Sequence, residues 1–205
     1  MLDVAKLAMI MPRCPVDKRE LHCAALVSAM RAGEITTVTR AAAFLGQLAL
    51  ESGELRWMRE VWNIGQVPNQ VRYERDPKSA WPPTPQDARN KLAWRLGNSE
   101  SGDGYLFRGW GPIQNTGRAN TTKASQALFG DDRLVRHPEM LDDPEVGMQG
   151  ARWYWQDRGL NALADALDYQ GITVAINGGL TNYNERYVYT VKALGVLGRD
   201  VVVVG

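Results

Sequence analysis

Apolar residues along the chain recur mostly at spacings of three and four, the period of helices packed on one face. Pro15 and Asp17 open a helical stretch, VDKRELHCAALVSAMRA, with Gly33 as its stop. Thr36, Thr37 and Thr39 offer N-caps for a second helix, RAAAFLGQLALES, which Gly53 should end. Between Gln66 and Gln86 stand Pro68, Pro77, Pro82, Pro83 and Pro85, a density that predicts an extended loop or lobe. A short helix, QDARNKLAWRL, stops near Gly97, and the segment SESGDGYLFRGWGPIQNTG that follows is rich in glycine. Glycine permits close backbone approach, so a ligand would touch main chain there. GYLFRG is the only run that approaches a period of two. Thr116 is a natural N-cap for the helix after it, and Asp143-Pro144 begins a helix through EVGMQGARWYWQDR. The stretches DYQGITVA and NERYVYTVKALG flank INGGLTN. The pattern predicts a mainly α fold with a small β or irregular lobe. It reads as one domain over 1–205, with 1–35 as an N-terminal helical segment and 66–86 as the Pro-rich loop.

Composition narrows the function. Among 205 residues, 24 Lys and Arg face 23 Asp and Glu, a net charge of +1. Nucleic-acid binding by electrostatics needs a basic stripe or an elevated pI, and neither is present. The opening MLDVAKLAMIMPRCP lacks a basic region followed by an unbroken apolar run, which argues against a cleavable signal. The closing VVVVG is far short of the roughly 20 residues that span a bilayer. Cys14 and Cys23 match no zinc spacing and read as small buried or free thiols. His22, within LHCAAL, reads as a core or boundary residue, and HExxH is absent. No metal or cofactor is expected. The ring composition is uneven, with seven Trp and seven Tyr against three Phe. Rings with a polar edge suit stacking on a wet ligand.

Carboxylates carry the candidate chemistry. Ala41, Phe44, Leu48 and Glu51 lie on one face of the second helix, so Glu51 terminates an apolar stripe. Desolvation there would favour the protonated form that a general acid needs. The competing reading is an inert glutamate at an exposed helix end. Glu60 follows beyond Gly53, and two carboxylates flanking a groove suit glycoside hydrolysis, one as acid and one as base. Glu54 and Glu60 could equally be surface charges near Arg56 and Arg59. Gln114, Asn115, Thr116 and Asn177 bring amides and a hydroxyl among glycines, suited to N-acetyl groups and sugar hydroxyls or simply to turns. FRGWGPIQNTG lacks the GxGxxG spacing of a phosphate loop.

Taken in order, FLGQLALESGELRWMREVWN, YLFRGWGPIQNTGRAN and AINGG resemble the family 19 glycoside hydrolases, and most of all the lysozyme-like endolysins of bacteriophages. The resemblance runs over about 40–195 and implies a lysozyme-like α-helical domain with a catalytic groove. It implies Glu51 as general acid, Glu60 as general base and Thr116 as the hydroxyl that holds the attacking water. It further implies Gln114, Asn120 and Asn177 as substrate-contacting or site-ordering amides, with Arg186 supporting the acidic pair by charge. Inversion at the anomeric carbon follows, with carboxyls about 6.5–9.5 Å apart. The chain departs from the family pattern at Leu50, where a histidine is usual, and at Thr121, where a tyrosine is common. It departs also at Trp110, where an arginine usually stands and where an indole would add a stacking surface beside Tyr105. Thr181 occupies a place where plant-type members carry a supporting acid.

The resemblance implies a substrate of peptidoglycan glycan strands, cut between N-acetylmuramic acid and N-acetylglucosamine for bacterial lysis. Chitin is the alternative polymer, and a catalytically dead wall-binding module the alternative class. The expected setting is a monomer made in the bacterial cytoplasm that acts on the periplasmic wall. A separate holin-like protein would release it, with no stable membrane insertion.

Overall fold

A computed structural model describes residues 2–198; the VVVVG run lies outside the described residues. The regular structure of the described chain is helical, with only isolated β-bridges beside it, the mainly α architecture that the periodicity predicts. Its described residues divide into two compact units, 2–57 with 151–198, and 58–150.

The first unit opens with α1 (Val4–Ile10), α2 (Arg19–Ala32) and α3 (Val38–Glu51). Asp3 caps α1 by accepting from the Lys6 N–H, and Thr37 caps α3 by accepting from the Arg40 N–H. Nine consecutive residues of α3, Ala41 to Ala49, are buried, so the helix is apolar almost all round and forms the centre of this unit. The second unit carries α4 (Asn90–Leu96), α5 (Asp103–Leu106), α6 (Arg118–Phe129) and α7 (Arg133–Arg136). In α8 (Pro144–Asp157) the chain passes from the second unit back into the first, which ends with α9 (Leu160–Asp165), α10 (Tyr169–Asn177) and α11 (Tyr183–Leu197). α11 packs along α3. Gly46 makes that approach possible: a Cβ there would stand 2.9 Å from the Thr190 amide nitrogen.

Several local expectations need correction. GYLFRG is not a strand; Asp103–Leu106 is a helical turn, because the Asp103 carboxylate is buried on Arg118 and the backbone closes around it. Thr116 does not cap α6. Its hydroxyl donates to the Gln114 carbonyl, and Asn98, distant in sequence, accepts from the Arg118 N–H instead. Within the Pro-rich loop a 3-10 helix spans Pro68–Tyr73. The consecutive Trp153, Tyr154 and Trp155 are all buried, so none is a sugar platform. No helix among the described residues is long and apolar enough to cross a membrane.

Candidate active site

In the first unit the site is built on the end of α3. Ser52 stops the helix: its amide and hydroxyl both donate to the Leu48 carbonyl, and its hydroxyl accepts from the Leu55 N–H. Gly53, Glu54 and Leu55 then take left-handed backbone conformations in succession (φ +56°, +67° and +61°). Two of these are not glycine, a strain of roughly 1–3 kcal/mol each that surrounding structure must hold. Glu54 holds it. Its side chain is 3% exposed and accepts from the Arg13 amide (2.6 Å), Arg13 Nε (2.8 Å) and the Tyr189 hydroxyl (2.7 Å). Burial alone would raise its pKa, but the Tyr189 and Arg13 hydrogen bonds outweigh it and keep the carboxylate below its ordinary range.

Glu51, the last residue of α3, is partly exposed and meets Arg186 Nη2 at 2.5 Å. Arg186 is 3% exposed, and its Nη1 donates to Gln47 Oε1 (2.7 Å) one turn back along α3. The apolar stripe therefore ends in a buried guanidinium paired with the Glu51 carboxylate. Asn177 is exposed at the end of α10, ahead of Gly178 in the left-handed region.

In the second unit Glu60 is fastened to the glycine segment. Its amide donates to the Gly109 carbonyl (2.7 Å), while Gly109 N–H donates back to Glu60 Oε2 (3.0 Å). Gln70 Nε2 donates to Oε1 at 2.8 Å, and Arg108 Nε donates to the Glu60 carbonyl. Each carboxylate oxygen thus has a fixed donor and retains lone pairs for another. Neither nearby arginine neutralises these glutamates as the surface-charge reading supposed. Arg59 pairs with Asp142, and Arg56 Nε donates to the Gly53 carbonyl. Burial, with the charge of Glu60, pushes the Tyr73 phenol up to about 12, so it stays neutral beside the carboxylate.

Gln114 packs against the same Gly109: a Cβ there would lie 3.2 Å from its amide carbon. The Gln114 amide donates to the Gly111 carbonyl, and Asn120 Nδ2 donates to the Thr116 carbonyl, so both amides order this loop. Thr116, Gln114 and Asn120 are half-buried. Tyr105 is 53% exposed, in edge contact with half-buried Trp62. Trp110 is the exception among the predicted contacts. It is 3% exposed, its indole N–H is spent on the Leu106 carbonyl, and the Arg108 guanidinium covers its ring at 4.3 Å. It is core, not a stacking surface.

Sequence reasoning missed Gln47, Glu54, Gln70 and Arg108. Gln47 carried a signal, being a polar residue on the buried face one turn before Glu51. The others meet their partners only through the tertiary fold. No group of three or more His, Cys, Asp or Glu among the described residues could hold a metal. An apolar cavity of about 220 Å³, lined by Met30, Ile35, Val38 and Leu197, sits at the opposite end of α3 from Glu51 and lacks acid–base chemistry.

No protein-family model matches the chain. A protein of Haemophilus influenzae described as a glycosyl hydrolase family 19 domain-containing protein is 33% identical over 153 residues, covering 71% of this chain and 74% of the relative. The chain belongs to glycosyl hydrolase family 19. Its fold is that of family 19 chitinases. Chitinase C of Streptomyces griseus superposes with a TM-score of 0.68 at 21% identity, over 96% of this chain and 92% of that one. A bacterial family 19 chitinase gives 0.68 at 20% identity, over 96% and 94%. The chain is a family 19 glycosidase.

Proposed function

We propose that this family 19 glycosidase hydrolyses the β-1,4 bonds of peptidoglycan by inverting acid–base catalysis. Glu51 protonates the leaving glycosidic oxygen, and Glu60 takes a proton from the attacking water. The observation that carries the reading is the pair of differently held carboxylates. Glu51 is presented at a helix end against a buried arginine, and Glu60 is fixed from both oxygens within the glycine segment. Thr116 supports it as well: its proton goes to the Gln114 carbonyl, so the hydroxyl is available as an acceptor for water. Arg186, being buried, would act on substrate only through Glu51.

The choice of peptidoglycan rests on the endolysin-like motif set. With it goes the proposed setting, a monomer released to the wall by a holin-like protein. Chitin is the second reading, favoured by the chitinase names of the structural neighbours. Analysis of reducing ends after digestion separates them. New muramic-acid ends from purified peptidoglycan support a muramidase, whereas cleavage of colloidal chitin with no new ends in peptidoglycan overturns that choice. Glu51→Gln should abolish activity on either polymer while the protein remains folded and wall-bound. Substantial residual activity would remove Glu51 as the acid. Anhydro-sugar products, with tolerance of Glu60→Gln, would identify a lytic transglycosylase and remove Glu60 as the base.

A further inference from the structure

Arg186 is shared by two acceptors on α3: Glu51 at 2.5 Å through Nη2 and Gln47 at 2.7 Å through Nη1. These acceptors are one helical turn apart, at i and i+4, so they stand above one another on one face. Gln47 is 2% exposed, and the sense of its amide is determined by its other neighbour. The Thr173 hydroxyl gives its proton to the Tyr169 carbonyl, which leaves it only lone pairs to offer Gln47 Nε2 at 3.4 Å. The amide nitrogen therefore faces Thr173 on α10, and the amide oxygen must face Arg186. A neutral acceptor thus fixes a buried guanidinium without consuming its charge.

We propose that Gln47 is a positioning residue for the reaction, holding Arg186 in register on Glu51 while leaving the whole of its positive charge to that carboxylate. The inference rests on the reading of Glu51 as the general acid. The amide's neutrality is the important property. A carboxylate at the same place would keep the hydrogen bond but compete for the guanidinium, and a thioether would fill the space while releasing Nη1. Glu54, three residues beyond Glu51, is paired with Arg13. From α8 the Tyr154 phenol is within electrostatic reach of Glu51, with Arg158 against its ring and Asp157 nearby. On α11, Glu185 and Lys192 are solvent-exposed. The Arg40–Asp165 pair joins α9 to the far end of α3.

The test compares Gln47→Met, Gln47→Glu and Glu51→Gln in full pH–rate profiles on peptidoglycan and on colloidal chitin. Gln47→Met should lower kcat about tenfold with KM within about twofold, because the acid is misplaced but substrate contacts are not. Gln47→Glu retains the size and the hydrogen bond but adds a negative charge. It should move the alkaline limb of kcat, where the acid loses its proton, upward by about one pH unit. A purely structural glutamine would leave that limb in place. Wild-type kcat in Gln47→Met, or an unmoved limb in Gln47→Glu, overturns the proposal while leaving the function intact. If Gln47→Met does not fold, the limb in Gln47→Glu decides alone. Retained activity in Glu51→Gln overturns the functional reading itself, and the role of Gln47 falls with it.

Discussion

Two aromatic residues five positions apart show how little residue type says about role. The Arg108 guanidinium lies 4.3 Å over both rings, yet Tyr105 offers 53% of its surface to solvent and Trp110 only 3%. Tyr105→Ala should raise KM several-fold and leave the melting temperature nearly unchanged, as loss of one exposed stacking ring of about 1 kcal/mol. Trp110→Ala should cost about 3–5 kcal/mol of stability through the cavity it leaves. Denaturant melts alongside Michaelis curves check both, and the reverse assignment of effects would contradict the burial. Glu54 and Glu51, three residues apart, divide labour in the same manner. One is consumed by hydrogen bonds that hold a strained turn, and the other keeps a partly open face.

At the scale of elements, α3 is both core and presenter of the acid, so its packing and its chemistry are coupled. Gly46 lies where α11 comes closest, and a methyl group added there would meet the Thr190 amide at 2.9 Å and the Arg186 carbonyl at 3.1 Å. Gly46→Ala should destabilise by about 1–3 kcal/mol through overpacking. It should also lower kcat, since the helix that carries Arg186 is pushed from the helix that carries Glu51. Calorimetry with steady-state rates tests this, and a stable variant of normal kcat would show that the contact has slack. Gly117 has a different constraint: its φ is +96° and a Cβ would crowd the Leu96 backbone, so the turn into α6 demands glycine.

For the molecule as a whole, stability against pH should fall in two windows, an upper one owned by His22 and a lower one that Glu54 shares with Asp76, Asp131 and Asp165. His22 is 1% exposed with neither ring nitrogen hydrogen-bonded, and burial, aided by the charge of Lys18, depresses its proton affinity. The unfolded chain then takes up that proton first, so stability falls as pH drops below about 6.5. Glu54 acts in a lower window. Its depressed folded value means its contribution is complete above about 4.3 and is lost as pH falls through that depressed value. Thermal melts from about pH 7.5 downward should show both steps, and His22→Leu should erase only the upper one. Persistence of the upper step in that variant would assign it to another group.

The helices that position the acid were legible because their causes are local. Thr37 and Asp143 act as caps, a buried stripe repeats through α3, and Gly97 takes the left-handed turn after α4. Charge balance and ring composition are likewise properties of the sequence alone, as is the order of motifs that signals the family. The tertiary structure decided everything that depends on a partner distant along the chain. Asn98 caps α6, Gln70 fixes Glu60, Tyr189 and Arg13 bury Glu54, and Arg186 joins Gln47 to Glu51. Periodicity shows which face of a helix turns inward. It cannot show which side chain arrives from 139 positions away to meet it, because that meeting is set by packing between helices.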